Sequence, residues 1–358
     1  MENLWFDGRY INPSNPDGIS RFSIGLITEL AKITQLSVLI CSDDQLALMP
    51  SGVRTLKAND PTSVVEILLA RRLRKQGISV LFSPMQTTSS LGRNFKLIST
   101  LHDLIYYRHR TPPEHFNPVI KIIWLLFHLS YWPQRVLLNR ADAVVTVSET
   151  TKDQMLEKRL TKNQITVIHN AAEPCEFVEN KNRSDSRDLV YMGSFIGYKN
   201  VETLVRGMGL LPDHRLLLTS RISERRLRDL TALAEKTGAN VKFLNGVSDE
   251  YYFELLRNSK ALVSASLDEG FGIPLVEAME RGTPVVTSDI EIFQEVAGAA
   301  GLRFSPMDPE DFANQIRSLD DPELWQGLSA LSLRQADEFT WPKSARELLE
   351  LCEKTLGA

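Results

Sequence analysis

A chain of 358 residues, 43% hydrophobic and 24% charged, has the composition of ordinary soluble globular material and the length for two domains. Its three cysteines, Cys41, Cys175 and Cys352, are too few and too scattered for a disulfide framework or a zinc site. The opening MENLWFDGRY lacks the basic and apolar regions of a signal peptide, and no stretch reaches the roughly 18 uninterrupted apolar residues of a membrane span, so a cytoplasmic protein is expected. The net charge of −4 is unevenly spread: residues 1–175 hold 20 Lys+Arg against 15 Asp+Glu, whereas residues 176–358 hold 21 against 30. That asymmetry implies two domains with different partners, and a nucleic-acid partner is not expected.

In chain order, a short strand at 4–6 is followed by a loop rich in Gly, Asn and Pro and a helix at about 19–31. Gly8 and Gly18 do not form G-x-G-x-x-G, which disfavours a nicotinamide enzyme. Strands at 37–40, 78–82 and 97–100, with a helix at 64–75, predict a parallel sheet. The last of these strands runs into Leu101-His102-Asp103, and a His-Asp pair at a strand's carboxyl end lies where such sheets hold ligands, although a lone histidine is as often structural. Residues 119–140, VIKIIWLLFHLSYWPQRVLLNR, read as one helix carrying Trp124, Phe127, Tyr131 and Trp132. A stripe of this kind is more often core than membrane surface, so core is the expectation and lipid contact the alternative. A buried strand at 141–147, a helix capped by Ser148 and a strand at 165–168 close a first domain, 1–171.

Residues 172–188 are polar and patternless, as an inter-domain linker is, and a second βαβ series occupies 189–341 before a final helix at 342–358. Its first strand leads into GSFIGYKN, where Lys199 beside a glycine-rich turn can neutralise a diphosphate as a point charge. Arg221 follows the strand 216–218, and the strand 241–244 exits into Asn245-Gly246-Val247. The stretch 265–287, ASLDEGFGIPLVEAMERGTPVVT, combines a strand exit, a Gly-Phe-Gly turn, a helix with Pro274 in its first turn, and a further strand. A helix N-terminus behind such a turn binds anions through unpaired N–H groups. Glu269 before the turn and Glu277 one turn into the helix can accept hydrogen bonds from ligand hydroxyls. Either glutamate alone reads as a solvated loop acid or a first-turn helix stabiliser; together, sugar hydroxyls and phosphate describe a nucleotide sugar.

EGFGIPLVE followed by AMERGTPVV resembles the E-x7-E segment of the retaining glycosyltransferases of family 4. The resemblance implies an α/β protein of GT-B architecture: two Rossmann-like domains with parallel sheets facing across a cleft that holds the donor, the last helix crossing back to the first domain. It implies the diphosphate at Lys199 and the amides of Gly270, Phe271 and Gly272, the ribose at Glu277, the transferred sugar at Glu269 and His102, and the nucleobase at Val247. Gly18-Ile19-Ser20-Arg21 resembles the Gly-Ile-x-Arg that approaches the diphosphate in family members. Tyr198 stands where the family often has arginine, and Arg221 is the proposed replacement. His102, Glu269 and Lys199 are thus the expected catalytic residues, with Asp103, Arg108 and Arg110 on the acceptor side and neither metal nor cofactor required. HDLIYYRHRTPPEHF, VVTVSE and MGSFIGYKN are similar to mannosyl- and related transferases of bacterial envelope glycans, which implies GDP-mannose as donor, a glycan or lipid-linked acceptor, and peripheral contact with the inner face of the membrane. A glycoside hydrolase, a nucleotide-sugar epimerase of the same fold, and a non-catalytic nucleotide-sugar-binding subunit are the rival readings.

Overall fold

The computed structural model of the chain describes residues 3–14, 16–112, 117–173, 175 and 183–357. Two compact units emerge, the first comprising Met1–Ala171 with Thr340–Ala358 and the second Ala172–Phe339. Within the expected linker at 172–188, residues 174 and 176–182 lie outside the described residues.

The first unit is built on a seven-stranded, wholly parallel sheet. Its strands are β1 (Leu4–Asp7), β2 (Leu36–Ile40), β3 (Arg54–Lys57), β4 (Val80–Ser83), β5 (Lys96–Thr100), β6 (Ala143–Thr146) and β7 (Ile165–Val167), in the order β3-β2-β1-β4-β5-β6-β7. Phe6 pairs with Val38 on one side and Phe82 on the other, and every residue of β1, β4 and β6 is buried. Helices on both faces make such strands continuously apolar rather than alternating. The helix Gly18–Ile33 packs against the C-terminal helix Trp341–Gly357, and Gly25 makes room for the Trp341 ring, since a Cβ there would sit 2.3 Å from it.

The structure departs from the sequence reading in three places. β3 is an edge strand of four residues, RTLK, whose polar ends carry no apolar run to announce it. The helix expected at 64–75 is a 3-10 turn (Val64–Leu68), one short α-helical stretch (Leu69–Leu73) and a second 3-10 turn, because Val64 and Ile67 face solvent and give the first turn no buried stripe. Residues 119–140 form two helices, Pro118–His128 and Trp132–Leu138, since Pro133 fits only the first turn of a new helix. The expected core role is overturned for the first of these helices, which buries no residue, and for Trp132, which is 68% exposed, whereas Leu138 of the second helix is core and Tyr131 packs against it.

The second unit repeats the plan with six parallel strands, β8 (Asp188–Tyr191), β9 (Arg215–Leu218), β10 (Val241–Phe243), β11 (Ala261–Ser264), β12 (Val285–Ser288) and β13 (Gly301–Phe304), ordered β10-β9-β8-β11-β12-β13. Its core gathers Tyr191, Leu204, Leu218, Val263, Phe312 and Trp325 around that sheet. In both units the order reverses beside the first strand, between β1 and β4 and between β8 and β11. Open α/β sheets bind ligands outside the carboxyl ends of the strands at such a reversal.

Candidate active site

The reversal in the second unit places two turns side by side, one leaving β8 and the other leaving β11. The first contains Gly193 and ends in a 3-10 turn, Gly197–Lys199; the second runs from Ala265 to Gly272. Backbone bonds fasten them together, for Leu267 N–H donates to the Tyr198 carbonyl at 2.7 Å. Asn200, held in the left-handed region at φ 51°, donates from Nδ2 to the carbonyls of Ala265 at 3.1 Å and Pro306 at 2.6 Å. Asparagine tolerates that backbone because its short amide can bond locally. The neighbouring turns join the same assembly: Gly193 N–H donates to Ser220 Oγ at 3.0 Å, and Ile222 N–H to Asn245 Oδ1 at 3.1 Å. The carboxyl ends of β8, β9, β10 and β11 thereby form one preorganised rim.

On that rim Lys199 Nζ is ion-paired with Glu269 Oε1, with side chains 16% and 14% exposed. Partial burial weakens solvent screening, so this pair interacts more strongly than one on the open surface. Lys199 also lies 5.4 Å from the centre of the Tyr198 ring, a cation–π distance. Glu269 accepts a second bond, from Ser266 Oγ at 2.9 Å, and Ser266 is itself held by Ser288 Oγ donating to its carbonyl. Nothing in the sequence alone singles out Ser266, because its hold on Glu269 depends on strand register.

The helix Ile273–Glu280 opens directly behind Glu269. Its N-cap is Gly272 at φ 99°, a conformation glycine adopts without strain, and with no side chain there is no side-chain cap on the first amides. Pro274 occupies the first turn, and the helix stops where Gly282 adopts φ 61°. Gly270 is buried, and the Phe271 ring packs edge-on against Phe339 at 5.4 Å. Glu277 is one turn inside the helix and 2% exposed. Arg221 is exposed and drapes its stem over Gly246, where a Cβ would lie 2.8 Å from Arg221 Cγ; half-buried Val247 follows. Lys199, Glu269 and the turn Gly270–Gly272 are therefore brought together, while Arg221 and Val247 flank the adjoining turn.

In the first unit, Gly18 is the exposed first residue of its helix, whose N-cap Asp17 accepts from Ser20 N–H at 2.8 Å. His102 follows β5 and donates from Nε2 to the Pro84 carbonyl after β4, at 2.8 Å, with its ring edge-on to Phe22 at 5.1 Å. A carbonyl can only accept, which fixes the proton on Nε2 and leaves Nδ1 as the acceptor of the neutral ring. Burial holds the His102 pKa below the ordinary histidine value. Asp103 accepts from Ile105 N–H at 2.9 Å and so caps a local turn, Arg108 donates to Gln154 at 3.0 Å, and Arg110 donates to the Tyr107 carbonyl at 3.3 Å. Among the described residues no group of three or more His, Cys, Asp or Glu side chains converges as a metal site.

Comparison with known proteins accords with this layout. Residues 18–174 match the family model described as Glycosyltransferase Family 4, and residues 174–326 match Glycosyl transferases group 1. The O-antigen chain mannosyltransferase RfbU of Salmonella typhimurium is 26% identical over 324 residues, spanning 85% of this chain and 87% of the relative. The GDP-mannose:cellobiosyl-diphosphopolyprenol alpha-mannosyltransferase of Komagataeibacter xylinus is 25% identical over 218 residues, 57% of this chain and 55% of the relative. Among solved structures, sucrose-phosphate synthase from Thermosynechococcus elongatus superposes with a TM-score of 0.76 at 20% identity, covering 99% of both chains.

Proposed function

Since the chain belongs to glycosyltransferase family 4 and is a hexosyltransferase, we propose that it moves mannose from GDP-mannose, with retention of anomeric configuration, to a glycan or lipid-linked acceptor at the cytoplasmic face of a membrane. The observation that carries this reading is the Lys199–Glu269 pair in front of a helix N-terminus with no side-chain cap. An ammonium and backbone N–H groups suit a diphosphate, and a carboxylate beside them suits sugar hydroxyls. The names of the two mannosyltransferase relatives support mannose, and the second supports GDP-mannose and a diphosphopolyprenol-linked acceptor.

In this reading Lys199, Arg221 and the amides from Gly270 to Gly272 neutralise the diphosphate as the bond from sugar C1 to phosphate oxygen breaks. Glu277 takes the ribose hydroxyls, Val247 the base through its backbone, and Glu269 the hydroxyls of mannose. The leaving diphosphate oxygen accepts the proton of the acceptor hydroxyl as the new bond forms on the same face, so the protein acts chiefly by positioning and by stabilising the leaving group. Gly18 contributes an approach to the diphosphate, and His102 acts on the transferred sugar; Asp103, Arg108 and Arg110 serve the acceptor. A panel of nucleotide sugars tests the assignment. GDP-mannose at 100 times its dissociation constant should raise stability by about 2.7 kcal/mol, and GDP should appear when a mannan-type or polyprenol-linked acceptor is added. Stabilisation by UDP-sugars alone would reassign the donor, and failure of every nucleotide sugar to bind would overturn the reading.

A further inference from the structure

The helix Ile273–Glu280, whose first amides are assigned to the diphosphate, is fastened at its far end. Eight residues make a rod of about 12 Å, and its start carries no side-chain cap. At the other end each carbonyl finds a donor. Glu277 accepts from the Arg281 guanidinium at 2.8 Å, Ala278 from Thr283 N–H at 3.0 Å, Met279 from Gly282 N–H at 2.9 Å and Glu280 from Cys175 Sγ at 3.3 Å. These are the groups that a helix terminus leaves without intrahelical partners. Just beyond the helix, Arg183 Nη2 donates to the carbonyls of Gly282 at 3.0 Å and Arg281 at 3.4 Å, and Ser329 Oγ donates to Gly282 at 2.5 Å.

Arg183 also reaches a second helix. Its Nη1 donates to the carbonyls of Leu256, at 3.1 Å, and Arg257, in the last turn of Asp249–Asn258. Its guanidinium carbon lies 5.1 Å from the centre of the fully buried Trp325 ring, a cation–π distance. One side chain therefore joins the carboxyl ends of the helix that precedes β11 and the helix that follows it, while β11 itself leads into the turn that bears Glu269. Both helix ends carry the negative pole of a dipole, which a cation between them offsets. Burial lowers the pKa of Arg183 to about 10, so it is still charged at neutral pH. Only the planar fork of arginine can serve carbonyls on two sides at once; a lysine ammonium is a single point.

We infer that Arg183 is a positioning residue for the donor: by tying together the carboxyl ends of the two helices around β11, it fixes where the first amides of Ile273–Glu280 meet the diphosphate. This rests on the reading above that those amides take the diphosphate. Arg183 acts from the opposite end of the rod, and in the sequence it stands in a polar stretch with no motif to announce it.

Calorimetry of the whole chain with GDP and UDP, well below the melting temperature, tests the inference beside acceptor-dependent release of the same nucleotide from its sugar donor. Arg183→Lys keeps the charge and loses the fork. It should weaken nucleoside diphosphate binding by about threefold and lower kcat by about tenfold, since misplaced amides matter most where charge develops in the transition state. Arg183→Met, which also loses the charge, should lose about tenfold and about a hundredfold in the same two measurements; where it fails to fold, Arg183→Lys alone decides. Ile316→Val, which opens a small cavity in the buried face of the helix Pro309–Ser318, is the control and should lower the melting temperature while leaving both values as in the parent. Hydrogen exchange over residues 270–280 of the ligand-free chain should quicken in the arginine variants and not in the control. Binding and turnover of Arg183→Lys equal to the parent's, or losses no greater than those of a control with the same drop in melting temperature, overturn the inference and leave the transferase reading standing. A parent chain that binds neither GDP nor UDP overturns that reading, and the inference falls with it.

Discussion

Lys199 and Glu269 hold each other, and each is also assigned a different part of the donor. Donor binding therefore exchanges one set of charge-assisted bonds for another, and the two residues should fail differently. Lys199→Ala removes the charge assigned to the diphosphate and should weaken GDP binding by about tenfold or more, with turnover falling in parallel. Glu269→Ala should leave the GDP affinity within about threefold while turnover falls about a hundredfold, because it is assigned to the sugar, where charge develops. Calorimetry with GDP beside a turnover assay separates the two; loss of GDP binding in folded Glu269→Ala would end this division of roles. His102 makes a further prediction. Burial depresses its pKa, so the folded chain keeps it neutral while the unfolded chain takes up a proton below about pH 6.5. The unfolded state then binds more protons, and stability must decline as pH falls through that value while being unaffected by His102 above it. His128 and His214 are depressed by burial too, so His102→Gln should flatten the decline only partly in denaturant titrations at pH 5.5 and 7.5. Identical slopes for parent and variant would show that His102 is not held neutral by the fold.

At the level of elements, the turn into Ile273–Glu280 is the part of the site most dependent on backbone. Gly272 sits at φ 99°, and a Cβ there would come 3.1 Å from Phe293 Cε1, so Gly272→Ala meets both a left-handed backbone and a crowded ring. It should cost the second unit about 1–2 kcal/mol in urea unfolding and weaken GDP binding by shifting the first amides; unchanged stability and affinity would mean the turn has slack. This turn was legible in the sequence because glycine, proline and flanking carboxylates each have a local physical meaning there. The alternation of strands and helices likewise pointed to parallel sheets, since apolar runs bounded by glycine and proline report burial directly. Less was legible where tertiary context decides. β3 is a polar-ended edge strand that only its pairing with β2 reveals, and Ser266 becomes a partner of Glu269 only once β11 and β12 are in register. The segment 119–140 misled in its first half for a related reason: apolar composition alone does not tell whether a helix is covered by the rest of the fold.

Across the whole molecule, both units carry the same strand-order reversal, and the residues assigned from the family resemblance cluster at the strands' carboxyl ends in each. In the second unit Lys199, Arg221, Val247 and Glu269 follow β8, β9, β10 and β11; in the first, Gly18 follows β1 and His102 follows β5. A sheet that places every ligand-facing turn at one end can vary those turns without disturbing its core, which is why short motifs suggest candidate site residues but not specificity for one sugar. The relatives are mannosyltransferases by name, and the mechanism proposed here has a stereochemical signature that no binding measurement can mimic. The most direct measurement is therefore the anomeric configuration of the product made from GDP-mannose, read at C1 by NMR together with acceptor-dependent GDP release. The account predicts an α-linked mannoside, retaining the configuration of the donor. A β-linked product, or GDP-mannose left intact in the presence of glycan and polyprenol-linked acceptors, would contradict it.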